Sequence, residues 1–421
     1  MASSGFGRGW AANSDPRVVS SNPQSASRSS PARLDDLREK RSARGTAGSH
    51  LGFAEEPAQS ARGAYADGVL SHADKRALRR ELRAAGVFEP RPVAAWLKFV
   101  AMLTALGALL AAVIWAPTFA ALLLVPVAAV AAATAAMLGH EAAHGSFARS
   151  KWHNAFALHV AFPLFSGLGA LHWQNKHNRL HHSHPNVPGV DYDIELWPFA
   201  VSADDYARSG PVRRRMQRSV QAYLFWPSTL LLAFLMRIAS IVHLMQRARR
   251  RGFDRACAAD AACMTAHYAL WLVVPSLLFG ALPVILLYVG LWSVVGLLLA
   301  MIFAPAHMGL PLVRKREDVW LHQLETTRNL RMPRWLSWMV IGLDHQVEHH
   351  LFPQIPHQQM GRASLMIRRF CHERGAPYQE IGYGAGIAEV TRFLATSWRY
   401  DPDAPGVVPI DPPAAPVASP R

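Results

Sequence analysis

Cysteine and acidic residues are scarce in this chain, and charge as a whole is low. The 421 residues include 3 cysteines and no C-x-x-C pair, which excludes a disulfide framework. Asp and Glu number 29 against 44 Lys and Arg, for a formal charge of +15, but no recognised nucleic-acid-binding motif accompanies that excess. Charged residues make up only 17% of the chain and apolar residues 51%, so neither a soluble protein nor a nucleic-acid partner is expected.

Charge is missing altogether from two long stretches, 99–139 and 261–313. A spanning helix needs about 20 apolar residues, so each stretch can form two. Each is interrupted once, at 116–117 and at 280–283, where Pro or Gly stands. The sequence therefore predicts two helical hairpins, with spans at 97–116, 118–138, 264–281 and 284–304.

Two weaker apolar segments, 154–171 and 219–236, are interpreted as interfacial helices. Counting one of them alone as a span would move a later histidine cluster to the opposite side of the membrane from the first. Counting both would separate the first cluster from the second. Every Lys and Arg lies outside the two uncharged stretches, so we expect both termini and the central loop to be cytoplasmic.

The expected fold is an all-α integral membrane protein. Four transmembrane helices in two hairpins would carry a cytoplasmic helical cap that holds a di-metal site. Residues 1–74, rich in Ser, Gly, Ala and Arg, are expected to be a disordered basic segment, and 401–421 a Pro-rich disordered tail. The membrane domain would occupy 75–400.

Histidines are clustered near the ends of the predicted spans on the cytoplasmic side. A spacing of four residues, as in the first cluster, places two rings on one helix face. Four clusters qualify as metal ligands: His140 and His144; His177, His181 and His182; His307; His349 and His350. Other histidines are expected to be bystanders: His153, His159, His243 and His267.

Imidazole suits zinc, copper, iron or nickel, so ligand type alone does not select the metal. One zinc uses three or four protein ligands, whereas eight histidines suffice for two metals with open positions. His140-Glu141-x-x-His144 also matches a zinc-protease signature with Glu141 as general base, but that interpretation leaves the second and fourth clusters idle. The Glu-x-x-His of carboxylate di-iron bundles would need a second such motif, and none follows.

At these residues the sequence resembles the membrane fatty acid desaturase family, across 95–395. Its three histidine boxes would be His140-x-x-x-His144, His177-x-x-x-His181-His182 and Gln346-x-x-His349-His350. A glutamine that opens the third box resembles the front-end acyl desaturases. The second box departs from the commoner spacing, with three residues instead of two before its histidine pair.

The resemblance implies two iron ions, with O2 as co-substrate, held by the eight histidines. Gln346 would be a weak or water-mediated ligand, with His345 as its alternative. Acids beside the boxes are expected to orient the ligand rings: Glu141, Asp344 and Glu348. A polar stretch before the third box is expected to line the substrate channel: Gln323, Thr326, Thr327 and Asn329.

The activity implied is O2-dependent desaturation of an acyl chain in a lipid bilayer. Neither a His-Pro-Gly-Gly haem motif nor a Gly-rich dinucleotide fingerprint is present, so a separate electron donor, such as ferredoxin or cytochrome b5 with its reductase, is expected. The basic runs 213–215 and 249–251 would suit an acidic donor or anionic lipid. Open alternatives are a di-iron hydroxylase or ketolase of lipids or carotenoids and an intramembrane zinc protease. A metal transporter is disfavoured because the histidines sit at span ends.

Overall fold

Nearly all regular structure in this computed structural model is helical, and residues 70–313 and 318–401 are described. The predicted disordered segments 1–74 and 401–421 lie almost entirely outside these residues, so both stay predictions. The first helix, α1, spans His72–Ala84, and Ser71 caps its N-terminus. The predicted domain boundary at 75 falls inside this helix.

The first uncharged stretch forms a helical hairpin, α2 (Pro92–Trp115) and α3 (Thr118–Ala143). Ala116 and Pro117 are extended and break the helix between them. Alanines at 128, 129, 132 and 135 are fully buried, and their small side chains let neighbouring helices approach closely. Both predicted spans of this stretch fall on these helices.

A bent pair of helical segments follows. It comprises α4 (Lys151–His159) with a π-helical continuation Val160–Ser166, and α5 (Ala170–Trp173) with a π-helical continuation Gln174–His181; the bend is 111°. Gly167 at the break has φ +71°, and a Cβ there would lie 2.8 Å from the His267 ring and 2.9 Å from Arg237, so only glycine fits.

The central region carries two arginine runs, at 213–215 and 249–251. It contains α6 (Ala203–Ala207), α7 (Pro211–Ser219), α8 (Gln221–Ser228), a 3₁₀ turn Thr229–Leu231 and α9 (Leu232–Arg251). Taken as one helix, Gln221–Arg251 is long and apolar enough to cross a membrane.

The second uncharged stretch forms the other predicted hairpin. It consists of α10 (Arg255–Tyr268), a π-helical segment Ala269–Val273, α11 (Val274–Phe279) and α12 (Ala281–His307). Gly280 joins the two arms with φ +85°. By length and composition, 5 helices qualify as spans, or up to 6 with the bent pair, so the predicted count of four is not confirmed.

The remaining elements cover one end of these helices. They are α13 (Val319–Thr326), β1 (Asn329–Arg331), α14 (Arg334–Met339), α15 (Gln346–Leu351), a 3₁₀ turn His357–Gln359, α16 (Met360–Glu373), β2 (Glu380–Gly382), α17 (Tyr383–Thr396) and a 3₁₀ turn Ser397–Arg399. The two strands are parallel, with Asn329 opposite Glu380. Leu78 and Leu82 of α1 pack with Phe352 and Ile367 in the core of this cap.

Large apolar side chains cover the outside of the long helices. Trp115 is 87% exposed, Leu277 82% and Phe119 75%. Water would not favour so many exposed apolar side chains, whereas a bilayer solvates them. Several apolar helices therefore indicate a membrane protein.

Candidate metal centre

Five histidines from three separate segments meet at the end of α3. Their ligand atoms lie within 4.8 Å of one another. The members of this five-histidine group are His140, His144, His177, His182 and His349. All are buried except His144, which is half-buried, so the sequence clusters converge in space.

A second, adjacent group consists of His181, His307 and His350, all buried. This three-histidine group shares chain segments with the five-histidine group. In each of the pairs 181–182 and 349–350, one histidine belongs to each group. Consecutive side chains on a helix point about 100° apart, so one segment can serve both groups. The groups touch where the rings of His182 and His350 stack with centroids 4.4 Å apart.

The unusual spacing of the second box is matched by a π-helical backbone. His182 donates its backbone N–H to the His177 carbonyl, a bond across five residues of 2.9 Å. In this winding the fifth residue, not the fourth, returns to the same face, and the His177 and His182 Nε2 atoms lie 3.1 Å apart. The extra residue therefore still brings this pair of rings together.

Each ring of the three-histidine group is held from outside by an oxygen acceptor. His181 donates Nδ1–H to Asp191 (3.0 Å), His307 to the Thr326 carbonyl (3.0 Å) and His350 to the Gln323 amide oxygen (2.9 Å). A donor role for Nδ1 leaves Nε2 as the lone-pair nitrogen, which is the form that ligates a metal. The backbone and these acceptors thus fix the orientation of three rings.

Asp191 is fully buried and is itself well anchored. Its carboxylate accepts the backbone N–H groups of Asn186 and Asp193, both at 2.9 Å. Burial by itself would raise the pKa of Asp191, but the His181 ring and these donors outweigh it and lower the pKa to about 2. An ionised carboxylate therefore faces His181.

The five-histidine group is organised differently, because its rings contact mainly each other. The Nε2 atoms of His140 and His177 are 2.9 Å apart. Burial, followed by repulsion from neighbouring histidines, lowers the pKa of His144 to about 3 and lowers those of His182 and His349 well below their usual value. The rings are therefore neutral and able to ligate.

Buried nitrogens without a partner test whether metal ions fit this arrangement. Among the described residues these include the Nε2 atoms of His144, His307, His349 and His350 and Nδ1 of His182. A buried, unsatisfied polar atom costs about 1 to 3 kcal/mol, and five in one place call for a missing partner. The two groups fit two metal ions, and the all-imidazole donor set suits iron, zinc, copper or nickel.

The three acids predicted to orient ligand rings bond elsewhere. Glu141 accepts the backbone and ring N–H groups of His357, at 3.1 and 2.7 Å. Asp344 accepts the Ser337 hydroxyl, and Glu348 accepts Tyr378 and Asn329. Sequence reasoning missed Asp191, which stands in a turn-rich segment with no pattern to mark it.

The polar stretch predicted to line the channel is buried beneath the site. Gln323 bonds the ring of His350 and the carbonyl of His182, and Thr326 supplies the carbonyl for His307. Thr327 bonds the Gln323 carbonyl, and Asn329 bonds Glu348. Gln323 and Thr326 thus support histidines of both groups, and the predicted substrate role stays a prediction.

The residues predicted to open the third box make contacts outside the histidine groups. Gln346 is buried, and its amide donates to the Leu343 carbonyl at 2.8 Å. The His345 ring is partly exposed, with Nε2 3.7 Å from Asp344. Their predicted ligand roles stay predictions.

Comparison with known proteins is consistent with this geometry. A family model described as fatty acid desaturase matches residues 114–382. The Delta(8)-fatty-acid desaturase of Euglena gracilis is 28% identical over 270 residues, which is 61% of this chain and 62% of that protein. The Delta(5) fatty acid desaturase fat-4 of Caenorhabditis elegans is 25% identical over 263 residues, which is 60% of this chain and 59% of that protein. The chain thus spans about three fifths of the length of these relatives.

Proposed function

The chain belongs to the fatty acid desaturase family, and we propose that it is an O2-dependent di-iron desaturase that introduces a double bond into an acyl chain. The observation that carries the proposal is the pair of adjacent histidine groups, with eight rings and five unpartnered nitrogens. A zinc protease would use one ion and three or four ligands. The histidines of its signature, His140 and His144, instead lie among rings from the second and third boxes.

The five-histidine group would hold one iron and the three-histidine group the other. Bound iron would supply the O2-dependent removal of hydrogen from unactivated methylenes, for which no side chain is reactive enough. The protein's own contribution is positioning. Asp191, Gln323 and the Thr326 carbonyl fix three rings in one tautomer, and the surrounding apolar core keeps bulk water away.

The family to which the chain belongs supports an acyl chain as the substrate. The named relatives are fatty acid desaturases, which agrees with this substrate class.

Four spans with a cytoplasmic cap remain our proposal for the topology. His144 and His182 lie together, with ring centroids 4.4 Å apart, so the chain between them crosses the membrane an even number of times. This supports a re-entrant path for the bent pair. His181 and His307 also lie together, at 4.7 Å, which supports two crossings among the three apolar helices between them.

Those two crossings are best assigned to α10–α11 and α12, which are joined at Gly280 without any charged residue nearby. Gln221–Arg251 would then lie in the interface. The positive-inside tendency places both termini and the site in the cytoplasm.

Cysteine labelling tests this topology. In a cysteine-free background, Phe279→Cys should react with a membrane-impermeant maleimide on intact cells, and Phe253→Cys only after permeabilisation; both positions are exposed. Labelling of Phe253→Cys from outside would contradict the four-span arrangement.

The activity is tested with purified, iron-loaded protein, acyl lipid, O2 and a donor–reductase pair. The expected product is an acyl chain with one new double bond, identified by mass spectrometry of its methyl ester. His349→Ala should abolish it, while His153→Ala, at an exposed histidine outside both groups, should not. A product that carries inserted oxygen would identify a hydroxylase or ketolase instead.

A further inference from the structure

We propose that the corner between α9 and α10 docks an acidic one-electron donor protein and that His243, His172 and Trp173 connect this surface to the five-histidine group. The inference rests on the proposed function, which consumes two electrons from outside in each cycle. The balanced reaction is –CH2–CH2– + O2 + 2 electrons + 2 protons → –CH=CH– + 2 H2O. Two of the four electrons that reduce O2 come from the substrate and two from the donor.

The docking surface is strongly basic and carries an exposed aromatic ring. We define the 247–255 surface by Arg247, Arg249, Arg250, Arg251, Phe253, Asp254 and Arg255. Its single acid, Asp254, bonds to Arg247 at 2.5 Å, and Phe253 is 64% exposed. Arginine and aromatic side chains are the residues enriched at protein interfaces, and the positive field favours a partner with an acidic face.

Two contacting rings and the chain neighbour of the inner one lead inward from this surface. His243 lies one and two helical turns before Arg247 and Arg251, on the same face of α9. Its ring centroid is 5.7 Å from that of His172, which is buried and has an unpartnered Nε2. The next residue along the chain is Trp173.

Trp173 makes the inner contact of this path. Its ring centroid lies 4.4 Å from that of His177 and 5.7 Å from that of His140, both members of the five-histidine group. The indole is buried, and no hydrogen bond holds its N–H among the described residues. Packing alone, including an edge contact with Phe162, therefore fixes this ring beside the five-histidine group.

The turn that carries His172 and Trp173 is pinned by the helices that form the surface. Asp260 of α10 accepts the backbone N–H groups of Ala170 and Leu171, at 3.1 and 2.9 Å. Ser240 of α9 accepts the Gly169 N–H at 3.0 Å. A Cβ on Gly169 would stand 3.0 Å from Ser240, so the approach is close. These bonds hold the segment that carries His172 and Trp173 in place against α9 and α10.

The other basic patch, on α7, offers a matched comparison. Arg213 bonds Ser209, and Arg214 bonds the Tyr206 carbonyl. The neighbouring cavity of about 380 Å³ is apolar, with Phe199, Met216 and Leu224 in its wall. No recorded ring contact runs from these arginines to either histidine group within 70–313 and 318–401. This patch suits a lipid rather than a redox partner.

Charge reversal tests the docking surface. The triple variants R249E/R250E/R251E and R213E/R214E/R215E change the net charge equally. Reduced acidic [2Fe–2S] ferredoxin is mixed anaerobically with each iron-loaded enzyme in stopped flow. At low ionic strength the first variant should oxidise ferredoxin with a second-order rate constant about tenfold or more below wild type, and the second variant should resemble wild type. The deficit should shrink with added salt.

Dithionite-driven desaturation separates this inference from the proposed function. Both triple variants should form wild-type amounts of product with dithionite, since that small reductant needs no docking. Absence of product in the wild type would defeat the proposed function but leave the ferredoxin measurement valid. Equal effects of the two triples on ferredoxin oxidation would overturn the docking surface. So would loss of binding to anionic phospholipid vesicles in R249E/R250E/R251E while its ferredoxin oxidation stays unchanged.

Trp173→Leu tests this path. It should lower the limiting first-order rate at saturating ferredoxin while the ferredoxin concentration for half-maximal rate stays unchanged. Trp173→Phe, which keeps a ring, should recover part of the rate. Iron content measured on each variant guards against a damaged metal centre. A wild-type limiting rate in Trp173→Leu would overturn the path.

Discussion

The two histidine groups share chain segments but are held in opposite ways. Each ring of the three-histidine group donates to an oxygen outside the group, from Asp191, Thr326 or Gln323. The recorded ring-nitrogen contacts of the five-histidine group run between its own members, at 2.9 and 3.1 Å. Outer bonds preset the three-histidine group, whereas packing alone pre-forms the five-histidine group. Both groups keep unpartnered nitrogens that a metal would satisfy.

The largest effect is expected when two consecutive histidines that belong to different groups are replaced one at a time. His349 belongs to the five-histidine group and His350 to the three-histidine group. We expect His349→Ala and His350→Ala each to lose roughly half of the bound iron, because each removes a ligand from only one site. Both variants should be inactive, since the reaction needs both metals. Iron is measured by elemental analysis and activity by product formation.

His345→Ala is the matched control, because His345 precedes the same helix but lies in neither group. It should keep its iron and most of its activity. Complete loss of iron in His349→Ala and His350→Ala alike would show that the two groups do not bind metal separately. Loss in His345→Ala would revive this residue as a ligand.

A smaller effect is expected where only an outer bond is removed. Asp191→Asn replaces the buried carboxylate with a neutral amide and weakens the bond that orients His181. Loss of such a partner typically reduces metal affinity or activity about 10- to 100-fold. Asp193→Asn is the control, because Asp193 is partly exposed and stands farther from His181, at 3.4 Å. Its effect should be clearly smaller.

Iron titration of both variants checks this prediction. In Asp191→Asn the weakened affinity should be confined to one of the two irons. Equal weakening of both sites, or none, would contradict the contrast between the preset and the packed group. Thermal unfolding of the apo forms separates an orientation effect from general destabilisation.

The sequence could predict which histidines gather, because box spacing places them on common faces at the ends of apolar runs. It could not predict their division into two groups. That division depends on the π-helical winding at 174–181, where His182 bonds back to His177. The role of Asp191 could not be predicted, because its position is set by a turn that the tertiary structure folds back onto His181.

Glu141 shows how adjacency in sequence can mislead. It follows His140 directly, yet neighbours on a helix point about 100° apart, and its carboxylate faces His357. The number of spans also could not be read from the sequence pattern alone.

Gln221–Arg251 is long and apolar enough to count as a span, although Arg237 is buried within it and donates to the Ser166 carbonyl.

The smallest effect is expected for Glu141→Gln. Because Glu141 ties α3 to the 357–359 turn and touches no ring of the five-histidine group, desaturation should fall less than about tenfold. Losing the charged bond to His357 should lower the free energy of unfolding by about 1 to 3 kcal/mol. Product assays and chemical denaturation measure the two effects. Loss of all activity with iron retained would instead make Glu141 a direct participant in the reaction.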